Sequence, residues 1–323
     1  MFRPRDLNQR FTGTAELLLG GSYSTLVAVR FDMADMTVDE ALAKYGPSEL
    51  ARDELLELED PHYAAENVAI VTGAGSGIGR ATALAFAANG LTVVATDRDE
   101  DGLAETQTQS EELSLPGELV TVVADLTNDS DLERIVEEAA DHGSIRYLAN
   151  IAGLQTVAPI ESFPLEKYDL MHDVMQRAPM VLTKHCLPHF RDNEDGAGVV
   201  GNMCSVHGHI VTQDKVAYNT TKFGLRGLTQ SIAAEGEGNV RAFTVSTAYV
   251  KTALVAKQLP ETADRRDMTV DEVVENVMLE HTRSTEMMDP SEVANLFVMG
   301  CSHHSKHLNG GDITHDGGMS LTY

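Results

Sequence analysis

The chain has 323 residues, 42% of them hydrophobic, so it can bury one large core and carry an additional segment. Its 50 acidic and 24 basic residues give a net charge of −26, a field that repels phosphate and argues against nucleic acid as a partner. No apolar run is long enough to cross a bilayer, and three scattered cysteines are too few for a disulfide framework or a metal site. We therefore expect a protein of the reducing cytoplasm, with no membrane partner and no metal.

The acidity has two interpretations. Only eight of the basic residues are lysines. A carboxylate-rich, lysine-poor surface stays hydrated in a high-salt cytoplasm, which indicates a halophilic protein. The same composition also suits an ordinary soluble acidic enzyme, because net charge bears on solubility and not on fold.

Residues 1–65 lack the strand and helix alternation of the rest of the chain. The stretch 15–31 is interrupted by Gly-Gly, which favours two short strands around a turn over a signal peptide. A capping box predicts a helix over 37–44, ended by Gly-Pro at 46–47. A second acidic helix is predicted over 48–58. We expect this N-terminal extension to pack on the main domain or at a subunit interface.

From Asn67 onward, short apolar strands alternate with helices, which predicts an α/β fold with one parallel sheet covered on both faces. The predicted strands cover 68–71, 91–96, 119–124, 145–149, 199–204 and 240–246, with a last strand over 307–314. A long helix is predicted over 165–190, and Pro179 should bend or interrupt it. Residues 250–290 are helical in patches and follow the carboxyl end of a strand, which predicts a lid over the ligand cleft.

A glycine-rich loop, Thr-Gly-Ala-Gly-Ser-Gly-Ile-Gly at 72–79, joins the first strand to the first helix. Such a loop lets the backbone approach a pyrophosphate at a helix N-terminus. Asp97 ends the second strand, where a carboxylate binds ribose hydroxyls and repels a 2′-phosphate, so NAD is favoured over NADP. Arg98 is the counter-argument, because an arginine can hold that phosphate. Asp125 ends the third strand and is either placed to meet the adenine amino group or an ordinary turn residue.

Tyr218 and Lys222 lie four residues apart, on one face of a predicted helix. An ammonium beside a tyrosine favours the phenolate, so we expect the pKa of Tyr218 to fall and the phenol to act as a general acid/base. Ser205 follows the strand at 199–204 and can hydrogen-bond the same substrate oxygen. Alone, Tyr-x-x-x-Lys is far more often an ordinary helix face than a catalytic pair.

Residues 66–323 resemble the short-chain dehydrogenase/reductase family in the order and spacing of seven features: the loop at 72–79, Asp97, Asp125, Asn-x-Ala-Gly at 150–153, Ser205, Tyr218-x-x-x-Lys222 and Asp-Gly-Gly at 316–318. The resemblance implies a doubly wound Rossmann fold, an NAD(P)-dependent oxidoreductase and a homotetramer. It implies that Ser205, Tyr218 and Lys222 are catalytic. The cofactor-binding residues it implies are Gly73, Ser76, Gly77, Ile78, Gly79, Asp97, Asp125, Leu126, Asn150, Ala152, Gly153, Tyr218, Lys222, Val250 and Thr252.

Four segments also resemble the bacterial D-3-hydroxybutyrate dehydrogenase subfamily, and they lie at 152–155, 205–208, 215–218 and 252–258. In that subfamily the residues at four matching places hold the substrate carboxylate. The implied substrate-binding residues are Gln155, Ser205, His207, Lys215, Tyr218 and Gln258. The implied reaction transfers a hydride from (R)-3-hydroxybutyrate to NAD and gives acetoacetate. Tyr218 removes the hydroxyl proton, Ser205 holds the oxygen, and Lys222 lowers the tyrosine pKa and binds the nicotinamide ribose.

Three positions depart from the family pattern. Met175 takes the place of an asparagine that helps a water relay protons to solvent, Ile151 replaces a second asparagine, and Thr247-Ala248 replace Pro-Gly beside the nicotinamide. These departures keep open an NAD-binding protein with little turnover. A reductase for a larger carbonyl compound is the remaining alternative.

Overall fold

The computed structural model describes residues 35–322. The two short strands predicted over 15–31 lie outside the described residues. Within the described part of the chain, no helix combines the length and the apolar character needed to cross a membrane.

A seven-stranded parallel sheet forms the centre of the molecule, in the order β3-β2-β1-β4-β5-β6-β7. Its strands are β1 (Asn67–Thr72), β2 (Thr92–Asp97), β3 (Leu119–Val123), β4 (Ser144–Asn150), β5 (Gly198–Met203), β6 (Val240–Thr247) and β7 (Gly311–His315). The strand order reverses between β1 and β4. In open parallel sheets, ligands bind in the crevice at the carboxyl ends of the strands at this point.

Helices cover both faces of the sheet, which confirms the predicted α/β fold. The helices are α1 (Val38–Tyr45), α2 (Gly77–Ala88), α3 (Glu100–Glu112), α4 (Asp129–His142), α5 (Leu165–His172), α6 (Ala178–Asp192), α7 (Val216–Glu235), α8 (Ala253–Arg266), α9 (Val270–Val273) and α10 (Pro290–Cys301). Alternate residues of β1 face opposite layers: Ala69 and Val71 join the core under α2 and α10, whereas Val68 and Ile70 join the core under α4 and α6. Because both faces of the sheet are covered, every residue of β1, β5 and β6 is buried.

The capping box at the start of α1 is confirmed, since the Thr37 and Glu40 side chains each accept from the other's backbone N–H. The second acidic helix predicted over 48–58 is wrong, because only a single 3-10 turn forms there, Arg52–Glu54. Side chains of the main domain bind the backbone of this stretch instead. Asn295 accepts from Leu56 N–H at 2.8 Å and donates to a neighbouring carbonyl, so the backbone groups are satisfied without a helix.

The long helix predicted over 165–190 is interrupted, as Pro179 predicts. A π-helical turn, Asp173–Arg177, separates α5 from α6, and Pro179 follows in the first turn of α6. Proline has no N–H to donate to the carbonyl of Met175, four residues earlier, so the regular hydrogen-bond ladder fails at this point.

Two further boundaries differ from the sequence prediction. The last strand begins at Gly311 and not near His307, because a 3-10 turn and a left-handed Gly310 (φ +72°) come first. The patches predicted over 250–290 are α8, α9 and a second π-helical turn, Val274–Met278, and the capping box that begins α9 is present.

Candidate active site

The structure brings Ser205, Tyr218 and Lys222 together at the carboxyl end of β5. Ser205 follows the strand directly, and α7 carries the other two side chains one turn apart. Ser205 lies close enough to Tyr218 for its hydroxyl to lower the pKa of the phenol. Lys222 Nζ lies 5.4 Å from the centre of the Tyr218 ring and donates to the Met203 carbonyl at 2.7 Å. The geometry therefore offers a phenol, a hydroxyl and an ammonium to one small volume.

The prediction that the pKa of Tyr218 falls is wrong for this structure. Burial raises the pKa of the phenol to about 12, and the hydrogen bond from Ser205 offsets only part of that rise. Lys222 is itself buried, which lowers its pKa to about 8, and its ammonium is directed at a backbone carbonyl. Desolvation is therefore the largest effect on the pKa of both groups.

His207 and Lys215 form a second group beside Ser205. Nδ1 of His207 lies 3.2 Å from Ser205 Oγ, and its Nε2 lies 3.4 Å from Lys215 Nζ and 3.0 Å from Thr212 Oγ1. Burial, with the positive charges of Lys215 and Lys222, lowers the pKa of His207 to about 3, so its imidazole is neutral. Thr212 was not predicted from the sequence, where no motif marks it.

Lys215 is a half-buried cation with an unusual environment. Burial and the nearby charge of Arg266 lower its pKa to about 8. Among residues 35–322, no carboxylate forms a salt bridge with it. Its Nζ instead faces the Tyr249 ring, 6.0 Å from the ring centre. Arg266, near the end of α8, is a second cation that the sequence motifs did not reveal.

The two glutamines predicted to bind substrate are less closely placed. Gln155 lies in the connector after β4, which reaches the Lys215 segment through Ala158 N–H donating to the Asp214 carbonyl at 2.8 Å. Gln258 lies half-buried on α8. Within the described residues, no hydrogen bond joins either glutamine side chain to His207 or Lys215.

The glycine-rich loop forms a cradle that fits a dinucleotide. A Cβ at Gly79 would lie 2.0 Å from the Gly73 carbonyl oxygen, and Gly73 and Gly77 adopt left-handed φ angles of +71° and +53°. In the described structure, the Ser76 side chain does not cap α2. The first N–H groups of α2, in the turn that includes Ile78, are therefore available to an anionic ligand.

Thr72 and Asn150 connect this cradle to the rest of the crevice. The Thr72 hydroxyl accepts from the N–H groups of Ile151 and Ala152 at 2.9 and 3.1 Å, which fixes the stretch that contains Gly153 against the loop. Asn150 donates to Asn202, but its Oδ1 is buried without a partner among the described residues. An unpaired buried acceptor at the edge of the cradle is consistent with a missing polar ligand. Thr72 begins the loop motif, so the sequence signal for it was present.

Other predicted cofactor residues surround the same cradle. Asp97 Oδ2 accepts from Gly75 N–H at 3.0 Å. Thr252, the N-cap of α8, lies so close to Gly77 that a Cβ there would be 3.3 Å from its methyl group. Val250 is buried and pairs with Met288.

Asp125 makes the hydrogen bonds of a turn residue. Its Oδ1 accepts from the N–H and the hydroxyl of Thr127 at 2.9 and 2.8 Å, and half-buried Leu126 lies between them. A contact of Asp125 or Leu126 with adenine stays a prediction.

The three departures from the family pattern have structural consequences. Met175 is buried, with its sulfur 3.5 Å from where a Cβ on Gly153 would lie. Ile151 contributes its backbone N–H to Thr72. Thr247 has a backbone N–H that can join the hydrogen bonds of the sheet, whereas proline has none. Strand β6 accordingly extends to pair Thr247 with His315 of β7.

Comparisons with known proteins agree with this geometry. A family model described as short chain dehydrogenase matches residues 67–264. The chain is 30% identical over 254 residues to the D-beta-hydroxybutyrate dehydrogenase of Rhizobium meliloti, covering 78% of this chain and 98% of that protein. It is also 30% identical over 259 residues to an uncharacterized oxidoreductase of Bacillus subtilis, covering 79% and 98%.

The fold and its crevice have a solved counterpart. The crystal structure of L-sorbose reductase from Gluconobacter frateurii, in complex with NADPH and L-sorbose, superposes with a TM-score of 0.74 at 26% identity, covering 80% of this chain and 98% of that one. The parallel sheet, the glycine cradle and the family match together establish that this chain belongs to the short-chain dehydrogenase family of oxidoreductases, which bind a nicotinamide cofactor.

Proposed function

We propose that this protein oxidises (R)-3-hydroxybutyrate, or a closely related short 3-hydroxyacid, to the corresponding 3-ketoacid with NAD. The observation that carries the proposal is Lys215. It is a half-buried ammonium, 3.4 Å from His207, with no carboxylate partner among the described residues of a chain whose net charge is −26. Burying a lone cation is unfavourable, and an anionic substrate would supply the missing charge.

The substrate carboxylate is proposed to bind the Lys215 ammonium beside His207. Neutral His207 can donate its Nδ1–H to Ser205 Oγ, which leaves the Ser205 hydroxyl proton for the substrate oxygen, and its Nε2 can accept one of the three Lys215 hydrogens. A bound carboxylate would also raise the pKa of Lys215 back towards its ordinary value, so the ammonium stays charged. Gln155 and Gln258 are proposed to complete the carboxylate site.

The proposed reaction begins with the phenol. Tyr218 as phenolate takes the hydroxyl proton, the hydride on the same carbon leaves, and the carbonyl forms. The bound cofactor supplies the hydride acceptor and, in its oxidised form, a positive charge. That charge and the Lys222 ammonium both favour the phenolate, so they oppose the effect of burial on Tyr218. Ser205 donates to the developing carbonyl oxygen and keeps it in line with the phenol.

The charges around Asp97 favour NAD over NADP. Its carboxylate lies against the loop at Gly75, and Asp99 follows at the start of α3. Arg80, the cation nearest the loop in sequence, is occupied by Glu105 at 2.8 Å and by the Gly75 carbonyl. The carboxylates would therefore repel a 2′-phosphate, and Arg80 is already bound to Glu105. At this strand end, the exposed Arg98 is the cation that could bind such a phosphate.

The test is a spectrophotometric assay of NADH or NADPH formation across short 3-hydroxyacids, at low and at multimolar salt. We expect NAD-dependent oxidation of (R)-3-hydroxybutyrate, which Tyr218→Phe abolishes. Lys215→Met should raise KM for the acid by about a hundredfold, since it removes a charged hydrogen bond worth about 3 kcal/mol. Exposed Lys167→Met is the matched control and should leave KM unchanged. Absence of turnover with every acid, or a preference for neutral sugars such as L-sorbose, would contradict the proposal.

Met175 favours a second candidate, an NAD-binding protein with little turnover. Its thioether cannot replace the amide of a proton relay, and it is buried near the catalytic helix. The carbonyl of Met175, to which Pro179 has no N–H to donate, is where a relay water could still bind. Calorimetry that detects NAD binding, combined with no oxidation of any hydroxyacid, would support this candidate over the first.

A further inference from the structure

The N-terminal segment 35–48 contacts helices that follow β6, far along the chain. The Tyr45 hydroxyl donates to Asp271 Oδ1 at 2.5 Å, and Lys44 Nζ lies 2.7 Å from the other oxygen of the same carboxylate. Asp35 Oδ1 accepts from Val270 N–H at 3.2 Å. Helix α1 also packs along α8. The segment therefore contacts both α8 and the first turn of α9.

An apolar cluster continues these contacts towards the site. Its buried members are Leu259, Ala263, Val270, Val273, Val274, Met278 and Met287. Met36 and Tyr45 pack against this cluster from the N-terminal segment, and Tyr249 packs against it as well. Because Lys215 faces the Tyr249 ring, one continuous set of contacts joins the N-terminal segment to the substrate pocket.

The helices between these ends have little stability of their own. Pro260 lies inside α8, where it removes one helical N–H donor, α9 is only four residues long, and a π-helical turn follows it. Short helices are marginal in water and depend on tertiary contacts for their position. At the other end, Thr252 begins α8 against Gly77 of the cofactor cradle. The position of residues 253–278 is thus set by the cradle at one end and by the N-terminal segment at the other.

We propose that residues 35–48 are a clamp that positions residues 253–278, the substrate lid, over the pocket of His207 and Lys215. Asp35, Lys44 and Tyr45 are positioning residues, because they act on the substrate through the lid. Gln258 and Arg266 are the lid residues whose placement depends on the clamp. The inference rests on the proposed function only in requiring this pocket to be the substrate site, and it holds for any 3-hydroxyacid.

The clamp is tested in the full chain with Tyr45→Phe and the double variant Tyr45→Phe/Lys44→Met. The matched control is Arg52→Met, since Arg52 forms a similarly exposed ion pair with Glu57 at 3.1 Å that does not touch the lid. Hydrogen–deuterium exchange should become about threefold to tenfold faster in 253–278 of the clamp variants and stay unchanged in the control. KM for the acid should rise by a similar factor while NADH affinity and kcat stay near wild type.

Two results would overturn the clamp: unchanged exchange in 253–278 in the double variant, or faster exchange throughout the chain with a lower urea midpoint, which indicates a general structural role. The exchange measurement needs no turnover. If no hydroxyacid is oxidised while exchange in 253–278 still increases, the proposed substrate has failed and the clamp has not.

Discussion

Replacing Lys222 by methionine should stabilise the fold at neutral pH while removing catalysis. The side chain is 3% exposed, and burial lowers the pKa of its ammonium from 10.5 to about 8. At 1.36 kcal/mol per pH unit, keeping this group protonated below pH 8 costs about 3 kcal/mol of folding free energy. Methionine has a similar shape and no charge, but it leaves the Met203 carbonyl unpaired, at about 1 kcal/mol. The expected gain at pH 7 is about 2 kcal/mol.

The stability difference between Lys222→Met and wild type should depend on pH. The folded chain binds fewer protons at Lys222 than the unfolded chain between pH 8 and 10.5, so wild-type stability rises with pH in that window. Below pH 8 both states are protonated and the cost is present in full. The advantage of Lys222→Met should therefore be constant below pH 8 and shrink as the pH approaches 10.5.

Urea denaturation of wild type, Lys222→Met and the exposed-lysine control Lys167→Met at several pH values measures this difference. Taking the difference between variants at each pH cancels the titration of all other groups. The reasoning would be refuted if Lys222→Met were no more stable than wild type at pH 7, or if its advantage did not change between pH 8 and 10. Either result would mean that the Met203 contact or trapped water compensates the buried charge.

Three shorter predictions follow from other contacts. Thr72→Val leaves the N–H groups of Ile151 and Ala152 without an acceptor, so NADH titrations should show about tenfold weaker binding. Asp97→Asn removes the carboxylate that repels a 2′-phosphate, and the ratio of kcat/KM for NADP to that for NAD should rise by about tenfold. Burial raises the pKa of Asp60, but hydrogen bonds from His303 and His62 outweigh that rise, so the pKa lies below its ordinary value. The ionised carboxylate therefore stabilises the fold. Asp60→Asn should cost about 2 kcal/mol at pH 7, and the loss should vanish as the pH falls below 3.8, the ordinary value for this carboxyl.

The sheet could be predicted from the sequence because most of its strands contain a short apolar run, and a parallel sheet buries such runs on both faces. The stretch at 48–58 could not. Its acidic residues favour a helix start, but Asn295 binds the backbone of Leu56 from far along the chain. The helix propensity of a short segment does not depend on a residue as distant in the chain as Asn295. The tertiary hydrogen bonds therefore determine the conformation.

The candidate site also has features that the sequence predicts and features that it does not. Spacing along one helix placed Tyr218 beside Lys222, because a helix has a fixed period. The pKa of Tyr218 could not be predicted, since it depends on how much protein surrounds the phenol, and that burial comes from several elements. Arg266 was missed for a related reason. Its charge acts on Lys215 only through the tertiary fold, since the two residues are far apart in the chain.

The acidic composition of the chain affects how the site can bind an anionic substrate. A net charge of −26 repels an anionic substrate at long range, so an anion must be held by local cations. Two of the eight lysines, Lys215 and Lys222, lie in the site and could serve this purpose, whereas Lys44 and Lys251 are paired with Asp271 and Asp289.

Salt acts on these two interactions differently. It screens the long-range repulsion within a few ångströms of the surface, but it reaches the half-buried pocket of Lys215 and His207 much less. If the site holds an anion, KM should therefore fall as salt rises, until the exposed Lys44–Asp271 pair of the clamp is also weakened. A neutral substrate would show only the second effect. The salt series of the hydroxyacid assay thus tests whether long-range repulsion limits the binding of an anionic substrate, whichever acid is supplied.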